Sequence, residues 1–128
     1  MTFTVLGIPI PKGRPKFGKG HAYTPERTIQ YENLVKWSYR PKQFHEGAIA
    51  MDIVAYMPIP KATSKANLEL MEKHIKLPTS RPDADNIIKG IADALNGIAY
   101  KDDSQIVDIR CRQYYSLTPR VEVEIKEV

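Results

Sequence analysis

The chain has 128 residues, one cysteine and a formal charge of +4. This length suits one domain whose core needs no disulfide or structural metal, and a lone cysteine excludes an internal disulfide and a multi-cysteine zinc site. No apolar run approaches the roughly 18 residues that span a bilayer and no export signal is legible at the N-terminus, so a cytoplasmic protein without a membrane partner is expected.

The segment Thr2-Phe3-Thr4-Val5-Leu6-Gly7 predicts a short strand. Pro9 to Gly20 holds three prolines and three glycines, which predicts a loop. A helix is expected from about Thr24, with Thr24 as cap and Pro25 in the first helical position. Ile29, Leu34 and Trp37 form its apolar side, and it stops before Pro41. Ala48 to Met57 alternates, with Ile49, Met51, Ile53, Ala55 and Met57 on one side and Asp52 and Tyr56 on the other, so a strand is expected. Ser64 to Lys76 predicts a short amphipathic helix, and Pro78 to Pro82 a connector. A strongly periodic helix follows from about Asp83 to Asn96, with Gly97 placed to end it. In Ile106 to Tyr115, Val107, Ile109 and Cys111 alternate with Asp108, Arg110 and Arg112. In the last strand Val121, Val123 and Ile125 alternate with Glu122, Glu124 and Lys126. Ser116 to Pro119 is placed to join these two as a hairpin. The order of elements predicts a single α+β domain over residues 1–128, with a mixed or largely antiparallel sheet packed by two to three helices.

Charge is unevenly spread. Residues 1–42 hold eight basic and two acidic side chains, whereas residues 43–128 hold eleven and thirteen. A basic N-terminal third joined to an acidic centre suits an enzyme acting on a polyanion, with cations on phosphates and carboxylates on a metal. A solvated basic face without a partner has the same composition.

The acidic residues fall in two blocks, Pro82-Asp83-Ala84-Asp85-Asn86-Ile87-Ile88-Lys89 and Tyr100-Lys101-Asp102-Asp103-Ser104-Gln105. In the helix after Pro82, Ile87, Ile88, Ile91 and Leu95 make an apolar stripe, and Asn86, Lys89 and Asp93 a polar one. Asp83 and Asp85 sit at the helix start, and Asp102 and Asp103 return one short loop after its end. Magnesium binds few protein ligands, prefers carboxylate oxygens and keeps several waters. Such an ion activates water and neutralises charge on a phosphate, and Lys89 adds a positive charge beside it. Each piece also has an ordinary use. Aspartates cap helices, an Asp85/Lys89 pair is a surface ion pair worth about 0.3–0.5 kcal/mol, and Asp102-Asp103 suits a solvated turn.

At these residues the chain resembles the RusA-type Holliday junction resolvases. The match is Asp83-x-Asp85-Asn86-x-x-Lys89-x-x-x-Asp93-Ala94-Leu95, then Asp102-Asp103-x-Gln105-x-Val107. The resemblance implies a small homodimer that binds branched DNA and nicks four-way junctions symmetrically with Mg2+ or Mn2+. It further implies that Asp83, Asp85 and Asp103 are metal ligands, that Lys89 is the catalytic lysine and that Asp102 supports them. Asn86 and Asp93 would orient the helix and its neighbours. The N-terminal loop Pro11-Lys12-Gly13-Arg14-Pro15-Lys16 departs from the family's usual string, and 61–80 carries an extra helix, so junction selectivity does not carry over from the resemblance.

Lys12, Arg14, Lys16 and Lys19 lie in a glycine-containing loop suited to the DNA backbone, with Phe17 or Tyr23 available to stack on a base. His21, His45 and His74 lack zinc spacing. Trp37 is expected in the core or a dimer contact, and Cys111 as a buried, inert thiol. Two other functions fit the same residues: a non-catalytic DNA-binding module that keeps the resolvase fold, and a metal-dependent phosphoesterase acting on small nucleotides.

Overall fold

The computed structural model describes the chain except for residues 14, 15, 19, 24, 41 and 81 and the side chains of residues 16 and 23. Among the described residues the elements run β1 (Thr2–Leu6), β2 (Lys16–Gly18), β3 (His21–Tyr23), α1 (Glu26–Ser38), β4 (Ile49–Pro58), α2 (Lys65–Glu72), α3 (Ala84–Ala94), a 3-10 turn at Asp103–Gln105, β5 (Ile106–Ser116) and β6 (Arg120–Glu127). The fold is α+β. Its four-stranded sheet has the order β1-β6-β4-β5, antiparallel except for the parallel pair β4/β5.

β4 occupies the centre because its sequence alternates cleanly. Ile49, Met51, Ile53, Ala55 and Met57 are all buried. Val121, Val123 and Ile125 of β6 and Phe3 and Val5 of β1 extend the same apolar face. Tyr31 and Val35 of α1 and Ile87, Ile91 and Ala94 of α3 close over it. The parallel pairing of β4 and β5 requires a long crossover, and α2 and α3 supply it.

Four expectations are corrected. β5 and β6 do not form a hairpin, because β4 lies between them and pairs with both. A turn at 117–119 can join them because two strand spacings of about 4.8 Å lie within reach of a few extended residues. The alternation of β5 is broken at its start. Ile49 faces Ile106 but Ala50 faces Asp108, so Val107 is an extra residue and stands 63% exposed. Such a bulge shifts the period by one, and Ile106 joins Cys111 against the core. Lys16–Gly18 and His21–Tyr23 are no plain loop but pair as a small antiparallel ladder, with Gly20 between them at φ +80. Three-residue strands are too short to leave a periodic signal.

The fourth correction concerns α1. Its buried side is Thr28, Tyr31, Val35 and Ser38, while Ile29, Leu34 and Trp37 face outward and Trp37 is 69% exposed. Two of the buried residues are hydroxylic, and local bonds make that tolerable. Thr28 Oγ1 accepts from the Gly13 N–H at 3.0 Å, and Ser38 donates to the Leu34 carbonyl at 2.7 Å. Trp37 is therefore no core residue; the Arg40 guanidinium lies 4.3 Å from its ring centre. Pro25 holds the cap position without a side-chain bond, and the expected cap Thr24 lies outside the described residues.

α2 spans less than its expected range. Ser64 caps it by accepting from the Asn67 N–H at 3.3 Å, and only Met71 of its residues is buried. Just beyond it, His74 stacks on Tyr114 of β5 at 4.1 Å between ring centres. No helix among the described residues is long and apolar enough to cross a membrane.

Candidate active site

α3 is the scaffold of the site. Ile87, Ile91 and Ala94 are buried, which fixes the helix rotation and turns Asp85, Lys89 and Asp93 outward at four-residue steps. Asp83 stands at the N-cap with φ −70 and ψ 149, yet its carboxylate makes no capping bond. Asp85 lies in the first turn. Asp83, Asp85 and Lys89 are exposed, and among the described residues they form neither a hydrogen bond nor an ion pair with one another. The ordinary uses of these residues, a cap and an i,i+4 ion pair, are thus not realised.

The acidic loop is carried back to the helix by Tyr100. This residue is fully buried, and its hydroxyl donates to the Ala92 carbonyl at 2.7 Å. Burial, then the charges of Asp103, Asp93 and Asp102, push its pKa far up, so it acts as a neutral donor. Gly97, with φ +76, supplies the turn that brings the loop round. Asp102 accepts from the Ser104 N–H at 3.2 Å, and hydrogen bonds at Ser104 hold its carboxyl below the usual range. Asp103 is half-buried beside Asp93. Burial, the hydrogen bond to Asp93 and the charges of Asp102 and Asp93 raise its pKa, as expected for two carboxyls sharing one place.

Lys12 belongs to this cluster. Its Nζ lies 3.0 Å from Glu32 and 3.4 Å from Asp93. The segment before it crosses α3 closely: a Cβ on Gly90 would meet the Ile10 carbonyl and the Lys12 nitrogen at 3.5 Å. The Lys12 N–H also donates to the Asn86 carbonyl at 3.1 Å. Of the four basic residues expected to meet DNA, Lys12 is thus turned inward onto carboxylates. Arg14, Lys19 and the side chains of Lys16 and Tyr23 lie outside the described residues, and Phe17 is 83% exposed on the hairpin.

The pKa of Lys12 reflects this setting. Burial works against its charge, but Glu32 and Asp93 outweigh it and raise the pKa. A raised lysine pKa stabilises the fold fully below the ordinary value and loses that contribution as pH rises through the raised one. Lys12→Met should destabilise the protein at pH 7 by about 1–2 kcal/mol, since the site is only partly withdrawn from water. The loss should shrink only as pH rises above the ordinary lysine value, where the parent's own ammonium begins to lose its proton. Chemical denaturation of both proteins at pH 7 and above the ordinary lysine value checks this; an equal loss at both would exclude the charge explanation.

The predicted ligands are divided. Asp83 and Asp85 lie at the first turn of α3, whereas Asp103 reaches Asp93, about 12 Å further along the axis than Asp85 at 1.5 Å per residue. Among the described residues no three aspartate, glutamate, histidine or cysteine side chains are grouped to hold one ion. The donor chemistry nevertheless suits magnesium, which is content with one or two carboxylates plus water and substrate oxygens. Asp83 and Asp85 are such a pair.

Sequence reading overlooked Glu32 and Tyr100 here, because each acts through a partner distant along the chain. A groove of about 700 Å³ lies elsewhere, between β1 and α1, lined by Phe3, Leu6, Leu34 and Trp37; it contains no carboxylate.

Comparison with known proteins bears on this site. The family model for endodeoxyribonuclease RusA matches residues 7–126. "Uncharacterized protein YqaN" of Bacillus subtilis is 44% identical over 135 residues, covering 98% of this chain and 95% of that protein. "Crossover junction endodeoxyribonuclease rusA" of Lactococcus phage r1t is 43% identical over 51 residues, covering 39% of each chain.

Proposed function

This chain belongs to the endodeoxyribonuclease RusA family, and from that premise we propose that it is a magnesium-dependent nuclease that resolves four-way DNA junctions as a homodimer. The observation that carries the reading is the unspent chemistry at the start of α3. Asp83 occupies a cap position without capping. Two exposed carboxylates stand there two residues apart, and among the described residues no ion pair takes up either of them, which suits a cation that needs few protein ligands.

In this mechanism Asp83 and Asp85 hold the ion, and Asp103 is the third candidate ligand. When bound, magnesium supplies an activated water and neutralises charge on the phosphate. Lys89, one turn beyond Asp85, places its ammonium against the phosphate as negative charge builds there. The positive end of the helix macrodipole favours the carboxylates at its first turn. The loop carrying Asp103 is held by Tyr100 from inside the core, so the carboxylate arrives on a rigid support. Phe17 and the basic residues near it take the DNA backbone and an exposed base. Two symmetric copies of the site make the paired nicks.

The test is a nicking assay on a synthetic four-way junction and a matched linear duplex, each with magnesium and with chelator. Paired nicks on the junction alone, lost on chelation, are the expected result. Junction binding without nicking under either condition would leave the chain a DNA-binding module instead.

A further inference from the structure

β1 is an edge of the sheet, and no strand among the described residues pairs with its outer side. The order β1-β6-β4-β5 leaves it bonded to β6 alone. The Ile125 N–H donates to the Met1 carbonyl at 2.9 Å, and the Met1 amine donates back to the Ile125 carbonyl at 3.3 Å. Antiparallel bonds alternate along a strand, so Phe3 and Val5 also bond toward β6. Thr2, Thr4 and Leu6 therefore turn their N–H and carbonyl groups to the open side. Exposed edges are commonly guarded by charge, proline or a bulge. Thr2-Phe3-Thr4-Val5-Leu6 has none of these, and its register with β6 is unbroken.

Beside this edge runs an apolar trough, because α1 passes back along β1. One stretch, of about 700 Å³, lies between Phe3 and Leu6 on the strand side and Leu34 and Trp37 on the helix side. A second, of about 300 Å³, continues from Leu6 and Leu34 to Ile8 and Tyr31. Trp37, Leu6 and Ile8 are 69%, 66% and 52% exposed, and contiguous apolar surface of this kind marks interaction sites. The charged side chains that line the trough are Arg40 at the Trp37 end and Arg27 at the Ile8 end. Both are exposed, and among the described residues neither forms an ion pair. The Arg40 guanidinium sits over the Trp37 ring, and a guanidinium held on an aromatic face keeps its N–H fork for a carboxylate.

We propose that this trough takes an extended apolar segment of a partner protein, with acidic residues at both ends, added to the sheet as a strand beside β1. Strand addition draws affinity from main-chain bonds and selectivity from pockets for alternate side chains. The open edge of β1 and the trough beside it supply both. Arg27 and Arg40 stand about 20 Å apart along α1 at 1.5 Å per residue. An extended segment covers that distance in about six residues, close to the five of β1. A second copy of this chain does not fit the charge. A two-fold axis between paired β1 strands sets the two α1 helices antiparallel. Arg40 of each copy then meets Arg27 of the other, with no carboxylate in either wall. Single-stranded nucleic acid carries a phosphate at every nucleotide and calls for a run of cations, whereas apolar surface separates these two arginines. The inference does not depend on the nuclease reading.

Trp37 is the only tryptophan of the chain, so its fluorescence reports the trough directly. The probe is a synthetic peptide of five alternating valine and threonine residues with two aspartates at each end. It is titrated into the full-length protein beside the same core flanked by lysines and a mixed-sequence single-stranded oligonucleotide. The acidic peptide should shift Trp37 emission saturably to the blue and bind at least about tenfold more tightly than the lysine-flanked one. Arg27→Glu combined with Arg40→Glu should reverse that order. Thr4→Pro, which removes an outward N–H, should weaken the acidic peptide by about tenfold; should it not fold, the arginine variant decides. Equal binding of the two peptides, no saturable shift, or tighter binding of the oligonucleotide would each overturn the proposal. A parent dimer that Leu34→Asp splits into monomers would place a second copy in the trough and overturn it as well.

Discussion

Asp83→Asn should remove metal-dependent nicking while leaving the fold untouched. Loss of a ligand that carries several kcal/mol of transition-state stabilisation corresponds to a fall of about a thousandfold. Stability should stay within about 0.5 kcal/mol of the parent, because the Asp83 carboxylate makes no capping bond that asparagine would break. Junction affinity in chelator should hold or improve, since one negative charge facing the DNA is gone. This combination separates a chemical role from a structural one. An aspartate serving as a helix cap would show the reverse, with stability falling by about 1 kcal/mol and nicking scarcely changed. Single-turnover nicking, thermal melting and a binding titration on one preparation decide between them. An Asp83→Asn protein that nicks within about tenfold of the parent would overturn the ligand assignment.

Ile53→Ala should be the most destabilising simple truncation. Ile53 is fully buried in the central strand, where its backbone faces Cys111 on one side and Val123 on the other. Removing a large aliphatic side chain from such a site costs its transfer energy plus the residual cavity, about 2–5 kcal/mol. That is a large share of the roughly 5–15 kcal/mol that holds a domain together, and the midpoint of thermal unfolding should fall by about 10 °C. The strands flanking Ile53 are bonded to it from both sides and cannot easily collapse into the void. A loss below about 1 kcal/mol in urea denaturation would mean that the sheet relaxes more freely than this packing allows.

Legibility in the sequence followed the range of the forces involved. α3 was readable because Ile87, Ile91 and Leu95 recur at helical spacing and Gly97 follows them. β4 and β6 were readable because their alternation runs unbroken beneath one buried face. α1 was misread: its outward side carries Ile29, Leu34 and Trp37, while its inward side carries Thr28 and Ser38. Hydropathy ranks those two sides wrongly, since it does not register hydroxyls satisfied by Gly13 and Leu34. β5 was misread at one point only, where the bulge at Val107 breaks the period. The 3-10 turn at Asp103–Gln105 did leave a signal. Asp102-x-x-Gln105 before an apolar run is the pattern in which two side chains exchange bonds with a turn's backbone.

The candidate site divides along the same line. The residue types that a metal and a phosphate require stand in the sequence, Asp83, Asp85 and Lys89 along one helix and Asp103 on the loop that returns beside it. That much the chain determined by itself, together with its α+β class and the strands of its core, because periodicity and turn chemistry act over a few residues. Only the tertiary structure decided which charges are spent and which are free. It set Lys12 between Glu32 and Asp93, drew Asp103 toward Asp93, and left Asp83 without a capping partner. It also placed β4 between β5 and β6. Each of these outcomes is a contact between segments far apart in the chain, where packing of the shared core selects the partner and local preference has no influence.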